Sequence, residues 1–143
     1  MNTYNEDFYV WTQAQANYLR AGVWAAVDSA HVAEEIESLG NEQRHAVESH
    51  LRILLAHLLK WQYQPRRRRR GWQTSILNAR AEITRRLERS PSLQPAWEEM
   101  LAWAYPKARR LAATETGLPR VIFPETCQWE QAQILDEEFW PEA

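Results

Sequence analysis

A chain of 143 residues has the length of one domain and buries about 68 to 70% of its unfolded surface, which is enough for a real core. Eight tryptophans among sixteen aromatic residues put much of that core into large wedges, each worth roughly 150 to 250 Å² of buried area. A single cysteine, Cys127, excludes an intramolecular disulfide, and MNTYNEDFYVW lacks the basic and apolar blocks of a signal peptide. The longest apolar stretch, Ile53 to Leu59, is interrupted by His57 and falls far short of the roughly 18 residues of a membrane span. A soluble, cytoplasmic protein with no membrane partner is therefore expected. The net charge is only −2, yet residues 1 to 50 carry −6, residues 51 to 90 carry +9 and residues 91 to 143 carry −5. A basic block between two acidic ones either pairs inside the fold or faces an acidic partner.

Taken in order, Asn5 is positioned to cap a first helix running to about Arg20, with Phe8, Trp11, Thr12, Gln15 and Leu19 down one side and Gly22 at its end. From Val32 to Trp61, apolar or neutral residues fall at Val32, Ile36, Leu39, Gln43, Val47, Leu51, Leu54, Leu58 and Trp61, all in steps of three or four. That spacing predicts one long helix, capped by Asp28 or Ser29, with this stripe turned inward. Gly40 costs roughly 1 kcal/mol relative to alanine and is a place for a kink, but an unbroken helix is favoured. Gln64-Pro65 ends it, because Pro65 has no N–H and disfavours helical geometry in the residue before it.

After five consecutive arginines, Arg66 to Arg70, a third helix is expected from Trp72 to Arg89 on a stripe of Trp72, Ile76, Ala79, Ile83 and Leu87. Ser90-Pro91-Ser92 stops it and caps a fourth, from about Leu93 to Thr116, which buries Trp97, Leu101, Ala104, Ala108 and Leu111 and contains Pro106. Gly117 terminates that helix. Residues 118 to 127 read as irregular, with Val121 to Phe123 extended, and Gln128 to Phe139 as a short last helix. The architecture expected is all-α: a single domain, residues 1 to 143, built as a four-helix up-and-down bundle with a long second helix and a short C-terminal helix or arm.

No motif compels a reaction, a metal or a cofactor. His50 and His57 lie on the inward stripe but seven residues apart, about 10.5 Å of helix rise, too far to share one metal unaided. They read as core histidines hydrogen-bonded to neighbouring helices. Glu115 falls on the stripe of Trp97, Ala104 and Leu111, so a buried polar cluster of His50, His57 and Glu115 is expected. If a solvent-filled pocket reached it, an enzyme or metal protein would be the alternative reading. Glu42 and His45 have Glu-x-x-His spacing, without the second copy that a di-iron bundle needs, and His31 with Glu35 supplies only two ligands. Cys127, near Pro124 and Trp129, reads as a small buried hydrophobe rather than a nucleophile.

The strongest exposed feature is the run Arg66, Arg67, Arg68, Arg69 and Arg70, flanked by Trp61, Tyr63 and Trp72. Adjacent guanidinium groups repel one another unless counter-charge arrives, and aromatic faces beside them support stacking or cation–π contact. The run and Trp72 are candidates to bind an acidic protein or a nucleic acid, although a pI near 6.1 is far from that of a dedicated nucleic-acid binder. Trp103 lies off its helix stripe, which points to self-association as a homo-oligomer.

Short blocks along nearly the whole chain resemble the bacterial family known as Domain of Unknown Function 29. They include Asp7-Phe8-Tyr9 with Trp11-Thr12, Glu34-Glu35-Ile36-Glu37-Ser38-Leu39-Gly40, His57-Leu58-Leu59-Lys60-Trp61, Gln64-Pro65, Ser90-Pro91-Ser92-Leu93, Glu115-Thr116-Gly117-Leu118-Pro119, Cys127 and Leu135-Asp136. The resemblance implies an all-helical cytoplasmic protein and implies no activity. In one respect this chain departs from the family pattern, in which the segment between Gln-Pro and Trp is mixed and often contains serine. Here it is pure arginine, so binding through the run belongs to this chain. The reading reached from sequence is a non-enzymatic binding or adaptor protein that presents the Pro65 to Gly71 loop to an acidic or polyanionic partner.

Overall fold

Asp7, rather than Asn5, sets the start of the first long helix. In the computed structural model, which describes residues 3–142, Thr3–Glu6 forms a single turn, α1, and Phe8–Ala21 forms α2. The backbone of Asp7 is extended, and its carboxylate accepts from the N–H of Val10 at 3.1 Å, satisfying one of the donors that a helix start leaves orphaned. Asn5 is enclosed in α1, which leaves Asp7 as the capping residue. Gly22 ends α2 at φ 71°, where the N–H groups of Gly22 and Val23 reach back to Leu19 and Tyr18.

The long helix α3 spans Ser29–Tyr63 without a break at Gly40. Asp28 accepts from the N–H of His31 and, at 2.7 Å, from the His31 ring, while Gln15 accepts from the Asp28 N–H at 2.7 Å. The His31 contact is the main reason that the Asp28 carboxyl lies below the ordinary carboxylate range. Helix α4 is Arg70–Arg89, two residues longer at its start than the stripe predicted. The fourth helix starts later than expected: Pro91–Ala96 is a 3-10 segment, and α5 runs Trp97–Thr116. Pro95 explains the delay, since it has no N–H to give an α-helix and disfavours helical geometry in Gln94. Pro106 is accommodated inside α5, and Gly117 ends it at φ 74°.

Two expectations for the C-terminal third are corrected. Arg120–Ile122 is a 3-10 turn, so Val121 and Ile122 are not extended. The last helix, α6, is only Gln131–Leu135, started by a reciprocal capping box between Glu130 and Gln133, and an irregular arm follows it. No strand occurs among the described residues, and the fold is all-α.

Packing groups the chain into two compact units, Met1–Glu42 and Gln43–Ala143, where length alone predicts one domain. In the first unit, only Trp11 and Gln15 are buried among the described residues. Tyr4 stacks on His31 at 3.9 Å, meets Trp11 edge-on at 4.7 Å and donates its hydroxyl to Glu35. Residues 36 to 42 of α3 are all exposed, with Ile36 at 63% and Leu39 at 67%. The stripe that should have turned them inward exists, but α1 and α2 reach α3 along the adjacent side that carries Asp28, His31 and Glu35.

In the second unit, α3 is the central element. Between Leu54 and Trp61 every residue except His57 is buried. Leu51, Leu54, Leu55 and Leu58 of α3 share one core with Ile76 and Ile83 of α4, Met100, Ala104 and Ala108 of α5, and Phe123 and Ile134. Gln43 ties α3 to the end of α4, donating to Ser90 Oγ at 3.2 Å and accepting from Arg86 at 2.7 Å. Tyr105 holds the segment after α5 by donating to the Pro124 carbonyl at 2.6 Å.

Arg80 does the same for the C-terminal arm. One turn after Ile76 on the buried side of α4, it is 1% exposed and donates through Nε to the Ile134 carbonyl at 2.8 Å and through Nη2 to the Phe139 carbonyl at 2.7 Å. Its guanidinium lies 5.4 Å from the Trp140 ring. Burial pulls its pKa down, against Asp136 and Glu137, but the group starts so high that it stays charged. Two charge-assisted bonds, each worth about 1.5–3 kcal/mol less the cost of burying the charge, hold the arm. Arg80→Ala should therefore lower stability by about 2–4 kcal/mol, read by urea unfolding with tryptophan fluorescence, and Arg80→Lys should recover less than half of the loss because an ammonium has no fork. An unchanged midpoint would show that the arm is held by other contacts.

Candidate partner-binding loop

The basic loop begins where α3 runs out of donors. Gln64 leaves helical geometry, Pro65–Arg67 forms a 3-10 turn, Arg69 is extended and Arg70 opens α4. The five arginines of identical chemistry divide into two kinds. Arg68 donates through Nε to the Trp61 carbonyl at 2.8 Å and through Nη2 to the Pro141 carbonyl at 3.4 Å, and its guanidinium lies 4.7 Å from the Trp61 ring. It thereby places a positive charge on one of the last carbonyls of α3, at the negative end of the helix dipole. Trp61 also packs on Trp140 at 4.8 Å, so loop, helix end and C-terminal arm meet at one place.

Arg66, Arg67, Arg69 and Arg70 are exposed, and among the described residues none of the four forms an ion pair. Arginines elsewhere do: Arg44 reaches Glu99 at 3.1 Å, and Arg85 and Arg86 both bind Glu82, whose carboxyl is lowered chiefly by Arg85. The acidic residues that do form ion pairs, Asp28, Glu48, Glu82, Glu99 and Glu115, thus pair with cations outside the run. A groove of about 290 Å³ beside the loop is lined by Tyr63, Gln64, Pro65, Arg66, Arg67 and Leu118.

Trp72 is corrected from a partner-facing residue to a structural one. It is 8% exposed, with Arg69 at 5.3 Å and Lys60 at 5.1 Å from its ring centroid. Its place on the buried stripe of α4 turns it away from solvent.

The expected cluster of His50, His57 and Glu115 is also rearranged. Glu115 is exposed, its side chain 41% accessible, and accepts at 2.7 Å from Lys60, whose side chain is 6% accessible. Glu115 lies in the last turn of α5, where the stripe reaches the rim of the core and its carboxylate stays in partial contact with water. Lys60, which the periodicity of α3 did not single out, is the buried charge. His50 and His57 are half-buried, on the edge of the α3 stripe. His57 Nδ1 lies 2.9 Å from the Ile53 carbonyl, and since a carbonyl only accepts, that nitrogen carries the proton. Burial is the main influence on its pKa, lowering it; Lys60 acts in the same direction, and the Ile53 carbonyl and Glu115 oppose.

The remaining candidates are peripheral. His45 is exposed and 3.4 Å from Glu48, and His31 is engaged with Asp28. No three His, Cys, Asp or Glu side chains among the described residues are placed to hold a metal ion. Cys127 is half-buried, its thiol 3.5 Å from the Trp129 carbonyl; burial pushes the thiol up and opposes thiolate formation, with the Trp129 backbone acting the other way. Trp103 is 37% exposed, with Lys107 4.2 Å from its ring. No helix among the described residues is long and apolar enough to cross a membrane.

The family model described as Domain of unknown function DUF29 matches residues 3–140, nearly the whole chain. No curated protein and no solved structure matches it.

Two outcomes follow from the Lys60 cluster. Glu115→Gln should cost about 1–2 kcal/mol in urea unfolding, below the 3–5 kcal/mol of a fully buried pair because Glu115 is partly solvated, and Lys60→Met on that background should restore part of it. A neutral Glu115→Gln would mean that Lys60 does not depend on its carboxylate. His57 releases its proton more readily folded than unfolded, so its contribution is complete above the ordinary imidazole value near 6.5 and is lost as pH falls through that value toward the lowered folded one. The stability of wild type minus that of His57→Gln should shrink between about pH 7.5 and 5.5. Parallel curves would contradict the assignment.

Proposed function

The chain belongs to the DUF29 family, and from its own surface we propose that it is a non-enzymatic binding or adaptor protein that presents Arg66, Arg67, Arg69 and Arg70 to an acidic protein surface. The observation that carries this reading is that four exposed guanidinium groups crowd one short loop with no ion-pair partner among the described residues. Their mutual repulsion is relieved when carboxylates arrive, and a guanidinium accepts a carboxylate through two parallel bonds.

Arg68 supports the reading from beneath. Its bonds to Trp61 and Pro141 keep the loop in one conformation, so a partner meets a surface already ordered and the entropic cost of binding is reduced. A net charge of −2 and a pI near 6.1 favour a carboxylate-bearing protein over nucleic acid, because the rest of the chain would repel an extended polyanion.

The test is fluorescence anisotropy of labelled polyglutamate, with duplex DNA and single-stranded RNA of matched charge as further arms. Replacing Arg66, Arg67, Arg69 and Arg70 by alanine while keeping Arg68 should weaken polyglutamate binding at least 10-fold at low salt and flatten its salt dependence. Tighter binding to DNA or RNA through the same arginines would move the partner to nucleic acid. Equal binding by the variant would end the proposal.

A further inference from the structure

The groove beside the arginine loop lies between the end of α3 and the segment that follows α5, and its six lining residues divide into an apolar part and a polar part. The apolar part is built into the fold. Tyr63 and Leu118 are half-buried and both pack on the core, Tyr63 meeting the Phe123 ring edge-on at 5.3 Å. Leu118 is held from its own side: Gly117 turns the chain at φ 74°, and the Leu118 N–H donates at 3.2 Å to Thr116 Oγ1, which donates to the Ala112 carbonyl at 2.7 Å. On the other side, Pro65 restricts the backbone and the Arg67 N–H donates to the Gln64 carbonyl at 2.9 Å. The polar part has no partner within the protein. Arg66 and Arg67 are exposed and form no ion pair among the described residues, and the side-chain amide of Gln64 makes no hydrogen bond among them. None of the six lining residues is acidic. Glu115, three residues before Leu118, is engaged by Lys60 at 2.7 Å.

We infer that this groove takes one aliphatic side chain of an acidic protein segment, while carboxylates on either side of that residue bind Arg66 and Arg67. The inference rests on the reading of the loop as a surface for an acidic protein, and adds the residue by which the partner is anchored. Size limits the occupant: at about 290 Å³ the groove is at the lower end of clefts that bury a free small molecule, roughly 300–1,000 Å³, but it holds a leucine-sized group whose main chain passes outside. Charge selects what flanks that group. Two unpaired guanidinium groups in the wall, with no carboxylate among the lining residues, attract glutamate or aspartate and repel lysine or arginine. The Gln64 amide, a donor and an acceptor together, suits the main chain of an extended segment. Because both walls are fixed before a partner arrives, little of the binding free energy is lost in ordering them. Nucleic acid matches the charge but brings no aliphatic group of this size, and the tryptophans beside the loop that would stack its bases, Trp61 and Trp72, are buried.

The probes are synthetic peptides with four glutamates on each side of a central leucine, alanine or serine, labelled with fluorescein through a flexible linker and read by anisotropy against the full chain. Wild type should bind the leucine peptide at least about 5-fold more tightly than the serine peptide, the order expected when most of one aliphatic side chain leaves water, with alanine between them. Leu118→Ser, with unchanged circular dichroism, should erase that preference and bind the serine peptide as wild type does. The peptide comparison needs no variant, so it decides the matter even where Leu118→Ser does not fold. Equal binding of the leucine and serine peptides, both lost when Arg66, Arg67, Arg69 and Arg70 become alanine, would overturn this inference and leave the reading of the loop standing. Binding that survives the loss of those four arginines would end both. A leucine preference that persists in a folded Leu118→Ser would place the side chain elsewhere and overturn the inference. So would a single-stranded oligonucleotide that binds more tightly and displaces the leucine peptide, or light scattering that finds a dimer converted to monomer by Leu118→Ser, because nucleic acid or a second copy would then be the occupant.

Discussion

The enclosure of α3 between Leu54 and Trp61 is the constraint from which the second unit follows. With every residue of this stretch but His57 buried, the Trp61 carbonyl needs a donor from the protein, and the one ammonium, on Lys60, must be matched from another element. One demand is met from far away in sequence and the other from just beyond the helix end. Glu115, in the last turn of α5, reaches Lys60, and Arg68, just past the chain reversal, reaches the Trp61 carbonyl. The loop is ordered because the helix it leaves is buried.

The same economy governs the other end of the unit. The arm after α6 has little regular structure, and its carbonyls are taken up by Arg80 from α4 and, at Pro141, by Arg68. Arg68 and Arg80 thus act as backbone donors to the arm, each against a tryptophan ring. Four further guanidinium groups of the basic block, Arg66, Arg67, Arg69 and Arg70, lie on the outside and form no ion pair among the described residues.

Helix periodicity made much of this legible. The stripe of α3, its end at Gln64-Pro65, and the stops at Gly22 and Gly117 follow from spacing, from the missing N–H of proline and from the left-handed backbone that glycine tolerates. Periodicity fixes which side of a helix is apolar, but not whether anything lies over it, and so Ile36 and Leu39 were expected inside although they are exposed. Ser90-Pro91-Ser92 has the residues of a helix cap, yet Pro95 four residues later delays α5 to Trp97. Glu115 sits on an inward stripe but at the rim, where its neighbour is Lys60 rather than a histidine. Arg80 was within reach of sequence reasoning, since it stands four residues after Ile76 on a buried stripe. Nothing local distinguishes Arg68 from its four neighbours, because its role is set by carbonyls at Trp61 and Pro141 that only the folded chain brings to it.

The division of the five arginines is the central claim, and arginine side-chain Nε–H NMR tests it most directly. Arg68 and Arg80 should each give a slowly exchanging Nε–H signal, assigned by its loss in Arg68→Lys and Arg80→Lys, while Arg66, Arg67, Arg69 and Arg70 exchange rapidly with water. A rapidly exchanging Arg68 Nε–H, or protected signals from the other four, would contradict the account.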